Sequence, residues 1–358
     1  MKQQVLLAVL AVSLGVAVAF LVFVPYVAIA HRRHGRLGAA RILVPFAMLV
    51  YGMSIWIYTL APFPEPGAID CAGLQLDPLQ FVRDLRGASA PGHALADPAV
   101  MQLFLNVVLF LPLGVFVRVM WNRGVVVSLV AGLALSLLIE LTQLTGVWGI
   151  YPCAYRVFDV DDLLTNTIGA VLGSLLSLAL PRAWRVGRAD PADARAPQPV
   201  TKWRRALGMV CDWVSVYLLG LTIALPVSAI VYVTGGREAL VASNGLLDAC
   251  STLGALAVTG SVAIATGRTI GDHAMQLAYR GTTLPPFWAG VVRFFAGIGG
   301  YQVLTAPTEG ANPVSMVFVL ASIVLALATA KGRGLPGIAS RQVPTDVREA
   351  REPSSASR

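Results

Sequence analysis

Long apolar stretches recur along the whole 358-residue chain, separated by short polar segments. Each holds about 20 residues, the length of helix that crosses a hydrocarbon core about 30 Å thick. Helices satisfy their own backbone hydrogen bonds in that core, so the pattern predicts an all-α, polytopic membrane protein. We predict nine spans, at about residues 5–30, 42–62, 101–120, 125–149, 162–180, 206–233, 247–266, 286–304 and 314–330.

Composition and charge agree with this class and set an orientation. Hydrophobic residues make up 56% and charged residues 13%, against roughly a quarter charged in soluble domains, which excludes a soluble enzyme. Of the 27 Lys and Arg residues, 21 lie in loops of one predicted side. Because such residues collect in the cytoplasm, we predict the N-terminus outside and the C-terminus inside. The net charge of +8 then reflects topology, and no nucleic-acid partner is expected.

Changes in composition predict the domain organisation. Residues 1–41 read as an N-terminal transmembrane helix followed by a basic cytoplasmic loop, and 42–185 as a four-helix unit with outer loops. Residues 186–203 alternate Pro, Ala, Arg and Asp without an apolar period, which is typical of a linker. A second four-helix unit follows at 204–332. The polar tail at 333–358 is expected to be disordered.

The chain has four cysteines. Cys71 and Cys153 both fall in predicted outer loops, in an oxidising compartment where a disulfide persists, so we predict that they pair. Free thiols or transient pairing remain the alternative, because the sequence does not give the Cα separation. Cys211 and Cys250 lie within spans and are expected to pack as small side chains. No Cys/His cluster suggests zinc, and no cofactor is expected.

Polar side chains mark the predicted outer ends of the third, fourth and fifth spans. A charge inside a span is costly, so each needs a partner, a water path or a function. We predict one outer polar pocket, formed by Asn106, Glu140, Gln143, Arg156, Asp159, Asp162 and Asn166. A functional pocket is favoured over a network that only joins helices, because Arg156 alone does not balance the four carboxylates of this region, Glu140, Asp159, Asp161 and Asp162. A hard cation such as Ca²⁺ or Mg²⁺, held by Glu140, Asp159 and Asp162, is a further alternative.

Three sequence blocks in this region resemble the signature of the VanZ-like family. They are LNVVLFLPLG at 105–114, IELTQL at 139–144 and YRVFDVDDLLTNTIGAVLG at 155–173. The likeness covers about residues 42–180. Gly169 and Gly173, in the third block, also have the GxxxG spacing that is typical of close helix contact.

The resemblance implies a location and a role. The family is named for a bacterial protein associated with low-level resistance to the glycopeptide teicoplanin, so it implies a multi-pass protein of the bacterial cell membrane. No reaction is established for the family, and a non-enzymatic role is therefore favoured. The residues at its motif positions are Asn106, Pro112, Gly114, Glu140, Gln143, Arg156, Asp162, Asn166 and Gly169.

The second unit has charges of its own: Arg205, Asp212, Asp248 and Arg293. An Asp and an Arg in different spans predict a buried ion pair between helices, with a proton or cation path as the alternative. The segment at about 203–332 resembles the RDD family of membrane domains through Arg205, Asp212 and the loop GRTIGDHAMQL. That family usually has Gly-Lys where this chain has Gly271 and Asp272. The resemblance implies cation transport for some members.

Three function classes follow. The favoured one is an envelope protein that binds a cell-wall precursor, an anionic envelope polymer or a glycopeptide through the outer pocket, with membrane lipid around it. The others are an enzyme acting on a lipid-linked substrate, with Glu140 or Asp162 as the base, and an ion or drug transporter that uses Asp212, Asp248 and Arg293. The phosphate-binding loop GxxxxGK[ST] is absent from the sequence, which argues against a nucleotide-driven pump.

Overall fold

The computed structural model describes residues 2–61, 63–64, 69–80, 82–83, 98–181, 184–186, 191–306 and 312–350. Within these ranges, seven helices are long and apolar enough to cross a membrane. The chain forms two compact units, one of Met1–Ala19 with Gly38–Arg188 and one of Phe20–Leu37 with Ala189–Arg358. The first helix, α1 (Lys2–His34), therefore contributes residues to both units.

The first unit is a helical bundle with a small strand pair. After α1, its elements are α2 (Ala39–Leu60), β1 (Leu74–Gln75), α3 (Pro98–Trp121), α4 (Val125–Leu144), a tight turn at Gly146–Gly149, β2 (Phe158–Asp159), α5 (Val160–Leu176) and a 3₁₀ turn at Ser177–Ala179. The two strands are parallel and pair Leu74 with Phe158 and Gln75 with Asp159. The core consists of Ile55, Phe110, Leu113, Val117, Ile139 and Ala170.

Glycines allow α3 and α5 to pack backbone against backbone. A Cβ atom on Gly173 of α5 would lie 1.9 Å from the carbonyl oxygen of Leu111, and one on Gly169 would lie 2.3 Å from that of Val107. On α3, a Cβ atom on Gly114 would lie 1.8 Å from the carbonyl oxygen of Ala170. The GxxxG spacing therefore marks a real helix contact, as the sequence predicted.

The second unit contains longer and more broken helices. Its elements after α1 are α6 (Pro191–Arg195), α7 (Lys202–Ala242), α8 (Asn244–Thr266), α9 (Ile270–Ala274), β3 (Leu277–Arg280), α10 (Pro286–Phe295), α11 (Ile298–Thr305), α12 (Pro313–Ala328), α13 (Gly334–Ala339) and β4 (Val343–Asp346), with 3₁₀ turns at Ala330–Gly332 and Val347–Ala350. Strands β3 and β4 are antiparallel and pair Leu277 with Asp346 and Arg280 with Val343.

The described residues support a helical membrane protein but not the predicted count of nine spans. The stretch predicted as one span at 286–304 is two helices, α10 and α11, because the backbone leaves the helical region at Gly297 (φ −126°, ψ −127°). The last predicted span corresponds to α12, which has 16 residues and is shorter than the roughly 20 that a spanning helix needs. Apolar composition identified both stretches but not the break at Gly297 or the short length of α12.

The predicted disorder of the tail from 333 to 358 is wrong as far as residue 350. Helix α13 and strand β4 lie there, and Asp346 is fully buried. Its carboxylate forms a salt bridge with Arg204, with an N–O distance of 2.8 Å. The composition is polar, as the sequence indicated, but these polar groups have partners within the second unit. Residues 351–358 lie outside the described residues.

The predicted linker at 186–203 is also partly folded. Residues 191–195 form α6, and Gln198 and Val200 are buried. The backbone N–H of Gln198 donates to Asp346 Oδ2 at 3.2 Å, and its side chain accepts from Arg36 Nε at 2.6 Å. These contacts fix the second half of the segment in the second unit. Residues 187–190 lie outside the described residues.

Candidate functional site

The first unit has one end where α2 and α4 finish and where α3 and α5 begin. A disulfide joins Cys71, in the loop after α2, to Cys153, in the loop after α4, with Cα atoms 5.6 Å apart. The backbone N–H of Ala72 donates to the carbonyl of Ala154 at 2.8 Å. The structure thus supports the predicted pair, while Cys211 and Cys250 are free thiols.

Helix α5 begins at this end with a carboxylate as its cap. Asp159 is the N-cap residue, and its side chain accepts from the N–H of Asp161 at 2.8 Å, the type of bond that stabilises a helix start. The backbone N–H of Asp159 donates in turn to Glu140 Oε2 of α4, at 3.1 Å. Glu140 is only 3% exposed. A buried carboxylate of α4 therefore meets the first turn of α5.

A second set of bonds connects α3, α4 and α5. Asn106 Nδ2 donates to Asp162 Oδ1 at 2.7 Å. Asn166 Nδ2 donates to Ser136 Oγ at 2.9 Å, and that hydroxyl donates to the Asp162 carbonyl at 3.4 Å. The buried Oδ1 of Asn166 has no hydrogen-bond partner within the described part of the chain. The structure thus brings together Asn106, Glu140, Asp159, Asp162 and Asn166, five of the seven predicted pocket residues.

The other two predicted residues bind the end of α2 instead. Arg156 donates to the carbonyl of Ala61 at 3.0 Å, and Gln143 donates to that of Thr59 at 2.8 Å. Helix C-termini leave such carbonyls without intrahelical partners. Tyr155 donates to the carbonyl of Leu60 at 3.0 Å, and burial raises the pKa of its phenol, so the donating form persists.

The alternative from the sequence, in which Arg156 neutralises the pocket carboxylates, gains no support from a direct contact with Glu140 or Asp162. Across the described ranges, no Lys, Arg or His nitrogen lies within 4.0 Å of a Glu140 or Asp162 carboxylate oxygen. The guanidinium of Arg156 donates instead to the carbonyl of Ala61, just after the end of α2. Among the same residues, no three His, Cys, Asp or Glu side chains come close enough to hold a metal ion together.

Sequence reasoning missed Ser136, which bridges Asn166 and Asp162. A signal was present, because Ser136 lies four residues before Glu140 and hence on the same helix face. Together the buried carboxylate of Glu140, the half-buried carboxylate of Asp162 and the free acceptor of Asn166 make this end of the unit rich in acceptors. Such a site suits a ligand that brings hydrogen-bond donors.

In the second unit, the carboxylate of Asp272, which the sequence did not predict as an ion-pair partner, binds Arg205. The Arg205 guanidinium forms a salt bridge with Asp272 at 2.8 Å, and Tyr279 donates to the same carboxylate at 3.0 Å. Asp272 also closes a capping box with Thr269 at the start of α9. The Thr-x-x-Asp spacing was the available signal. The residue that departs from the RDD pattern is thus the partner of Arg205.

Asp212 and Arg293 do not form the ion pair between spans that the sequence predicted. Asp212 accepts from the N–H of Gly271 at 2.6 Å and from Thr269 Oγ1 at 2.8 Å, so two donors near α9 satisfy it. Arg293 donates to Gln342 Oε1 at 2.8 Å and to the carbonyl of Gly267. Its guanidinium carbon lies 4.1 Å from the centre of the Tyr279 ring.

Asp248 lies apart from this charge cluster. Asp248 is exposed near the start of α8, and its backbone carbonyl accepts a hydrogen bond from Ser251 Oγ. A path through Asp212, Asp248 and Arg293 therefore has no continuous set of contacts in the described residues. The likeness of this unit to the RDD family stays a prediction.

Comparison with known proteins concerns the first unit. Residues 46–181 match the model of the VanZ/LLP1 family. No curated protein and no solved structure matches the chain significantly. The matched segment includes both bridged cysteines and all the predicted pocket residues. Residues 46–181 thus form a domain similar to the VanZ/LLP1 family, within a chain that has the apolar helices of a multi-pass membrane protein.

Proposed function

We propose that the first unit is an envelope-binding unit of a bacterial cell membrane. In this proposal its acceptor-rich end faces outward and binds a donor-bearing group of a cell-wall precursor or of a glycopeptide. The protein would thereby contribute to resistance of the teicoplanin type or to cell-envelope homeostasis. The observation that carries the proposal is the pair of carboxylates, Glu140 and Asp162, that lack a basic partner within 4.0 Å in the described part of the chain.

The physical argument concerns the cost of burial. Burying a carboxylate without a compensating charge is unfavourable, so a network that only joined helices would be expected to place Arg156 against it. Arg156 binds Ala61 instead. A ligand amine or hydroxyl would supply the missing donors. The acidic character of the site also favours such a ligand over the anionic envelope polymer considered from the sequence.

The disulfide supports an outward position, because such bonds persist in oxidising compartments. A single cysteine placed at residue 77 of the first unit tests this orientation. With a membrane-impermeant maleimide on intact cells, Asp77→Cys should be labelled, whereas Gly35→Cys and Arg195→Cys should be labelled only after lysis. Labelling of either of these two from outside intact cells would contradict the N-terminus-out topology.

Charge-removing variants separate binding from helix packing. Asp162→Asn and Glu140→Gln preserve shape, and Asp77→Asn is the matched control because Asp77 is exposed at the same end. Each variant would be expressed in a strain lacking the native gene, and teicoplanin susceptibility would be measured beside melting of the purified protein. We expect Asp162→Asn to raise susceptibility to teicoplanin while the melting temperature stays unchanged. Early melting of both pocket variants, or full protection by both, would reject the proposal.

An enzyme acting on a lipid-linked envelope substrate is the alternative for the same site. The observation that favours it is that, among the described residues, Glu140 accepts one hydrogen bond, from the backbone N–H of Asp159, which leaves lone pairs for a proton transfer. Turnover of a lipid-linked precursor by the purified protein, lost in Glu140→Gln, would establish this alternative. Binding without turnover supports the non-enzymatic role that we favour.

A further inference from the structure

The second unit contains a partly open cavity of about 440 Å³. Helix α7, the broken pair α10 and α11, and helix α12 form its walls. This volume is in the range of small-molecule and headgroup pockets. All of its lining residues belong to the second unit, so the cavity is separate from the site in the first unit.

The charged residues that line the cavity carry a net positive charge. Its charged lining residues are Lys202, Arg205 and Arg293 against Asp212 and Asp272, a balance of +1. Both carboxylates already accept hydrogen bonds from protein donors. Arg293 is 4% exposed and has no carboxylate oxygen within 4.0 Å among the residues that the structure describes.

Three hydrogen-bond donors of this lining lack an acceptor. In the described part of the chain, the buried Nε atoms of Arg205 and Arg293 and the Oγ atom of Ser322 have no hydrogen-bond partner. Buried polar groups are nearly always paired, and an orphaned one costs free energy. Three residues with orphaned donors line one cavity whose charge balance is positive, which points to an anion with several acceptor oxygens.

The remaining walls are mostly apolar and belong largely to the apolar helices α7 and α12. Met209, Val210 and Trp213 come from α7, and Phe318, Ile323 and Leu327 from α12. A free inorganic anion would leave these side chains without contacts. An amphiphile with an anionic headgroup would contact both the charged and the apolar side chains of the cavity.

We propose that this cavity binds the phosphate headgroup of an anionic membrane lipid. Arg205, Arg293 and Ser322 bind the phosphate oxygens, and the apolar side chains of α7 and α12 contact the first part of the acyl chains. This site is independent of the function proposed for the first unit. It also gives the second unit a role in binding anions, in contrast to the cation path considered from the sequence.

The test uses the full chain in detergent, titrated with dioleoyl phosphatidate and followed by native mass spectrometry. Dioleoylglycerol has the same chains without phosphate, and inorganic phosphate has no chains. We expect phosphatidate to bind and the other two to bind at least about tenfold more weakly. Equal binding of dioleoylglycerol would overturn the role of the phosphate. Equal binding of inorganic phosphate would show a free-anion site and overturn the lipid proposal.

Arg293→Gln should weaken phosphatidate binding by about tenfold or more, because charge-assisted hydrogen bonds are lost. Arg280→Gln is the matched control, since Arg280 is exposed in the same unit and does not line the cavity. If Arg293→Gln lowers the melting temperature, phosphatidate binding is measured instead with Val319→Trp, which fills the cavity from α12. Unchanged phosphatidate binding by a folded Arg293→Gln, or by Val319→Trp, would overturn the proposal.

Discussion

Replacement of Gly173 by alanine tests how the pocket is assembled. The new Cβ atom would lie 1.9 Å from the carbonyl oxygen of Leu111 and 3.0 Å from its Cα atom. A relaxed carbon–oxygen contact is about 3.3 Å or longer, so α3 and α5 would have to separate by roughly 1.4 Å. A gap of that size forfeits much of the dispersion energy along the contact. Overpacking of this kind destabilises by about 1–3 kcal/mol.

The matched control is Gly52→Ala, because Gly52 lies within α2 and a Cβ atom there meets nothing within 4 Å. Thermal melting of both variants in the same detergent is the assay. We expect Gly173→Ala to lower the free energy of unfolding by about 1–3 kcal/mol, and Gly52→Ala to be neutral or slightly stabilising, since alanine favours helix. Equal melting of the two variants would refute the packing argument.

Three further predictions concern other parts of the chain. In a non-reducing digest, the peptides of Cys71 and Cys153 should migrate together and separate after reduction; alkylation of both thiols in fresh membranes without reductant would show that no disulfide forms. Burial and a nearby arginine lower the pKa of His273 below 6.5, so the unfolded state binds more protons than the folded state. The melting temperature should therefore fall as the pH is lowered from about 8 to about 5, and it should fall less in His273→Gln. An equal fall in both proteins would contradict this. Asp346→Asn removes the buried partner of Arg204, which costs about 3–5 kcal/mol, and should expose the tail to limited proteolysis; an unchanged digestion pattern would count against the folded tail.

The hydrophobic pattern was sufficient for the helices that a bilayer dictates. The spans predicted at 42–62 and 101–120 correspond to α2 and α3, because about 20 apolar residues fit one crossing. The pattern did not reveal the break at Gly297, where a backbone change interrupts an apolar run. It also failed for the tail, because the burial of Asp346 depends on Arg204, which is 142 positions earlier in the chain.

The candidate site was predictable in its members but not in its bonds. Asn106, Glu140 and Asp162 lie near helix ends that the topology brings to one side, so their proximity follows from the order of spans. The partner of Arg156 did not follow, since a guanidinium near a helix C-terminus binds carbonyls as readily as carboxylates. In the second unit, the salt bridge from Arg205 to Asp272 depends on the short helix α9. The hydrophobic pattern along the chain does not predict a helix of this length.

Direct binding to the purified protein tests the central claim, that Glu140 and Asp162 accept donors from an envelope ligand. The parent, Asp162→Asn and the control Asp77→Asn would each be titrated with teicoplanin and with a lipid-linked peptidoglycan precursor. We predict that at least one of these probes binds the parent and the control equally. It should bind Asp162→Asn about tenfold more weakly, at unchanged melting. Equal affinity for the parent and Asp162→Asn, or no binding of either probe to the parent, would contradict the account.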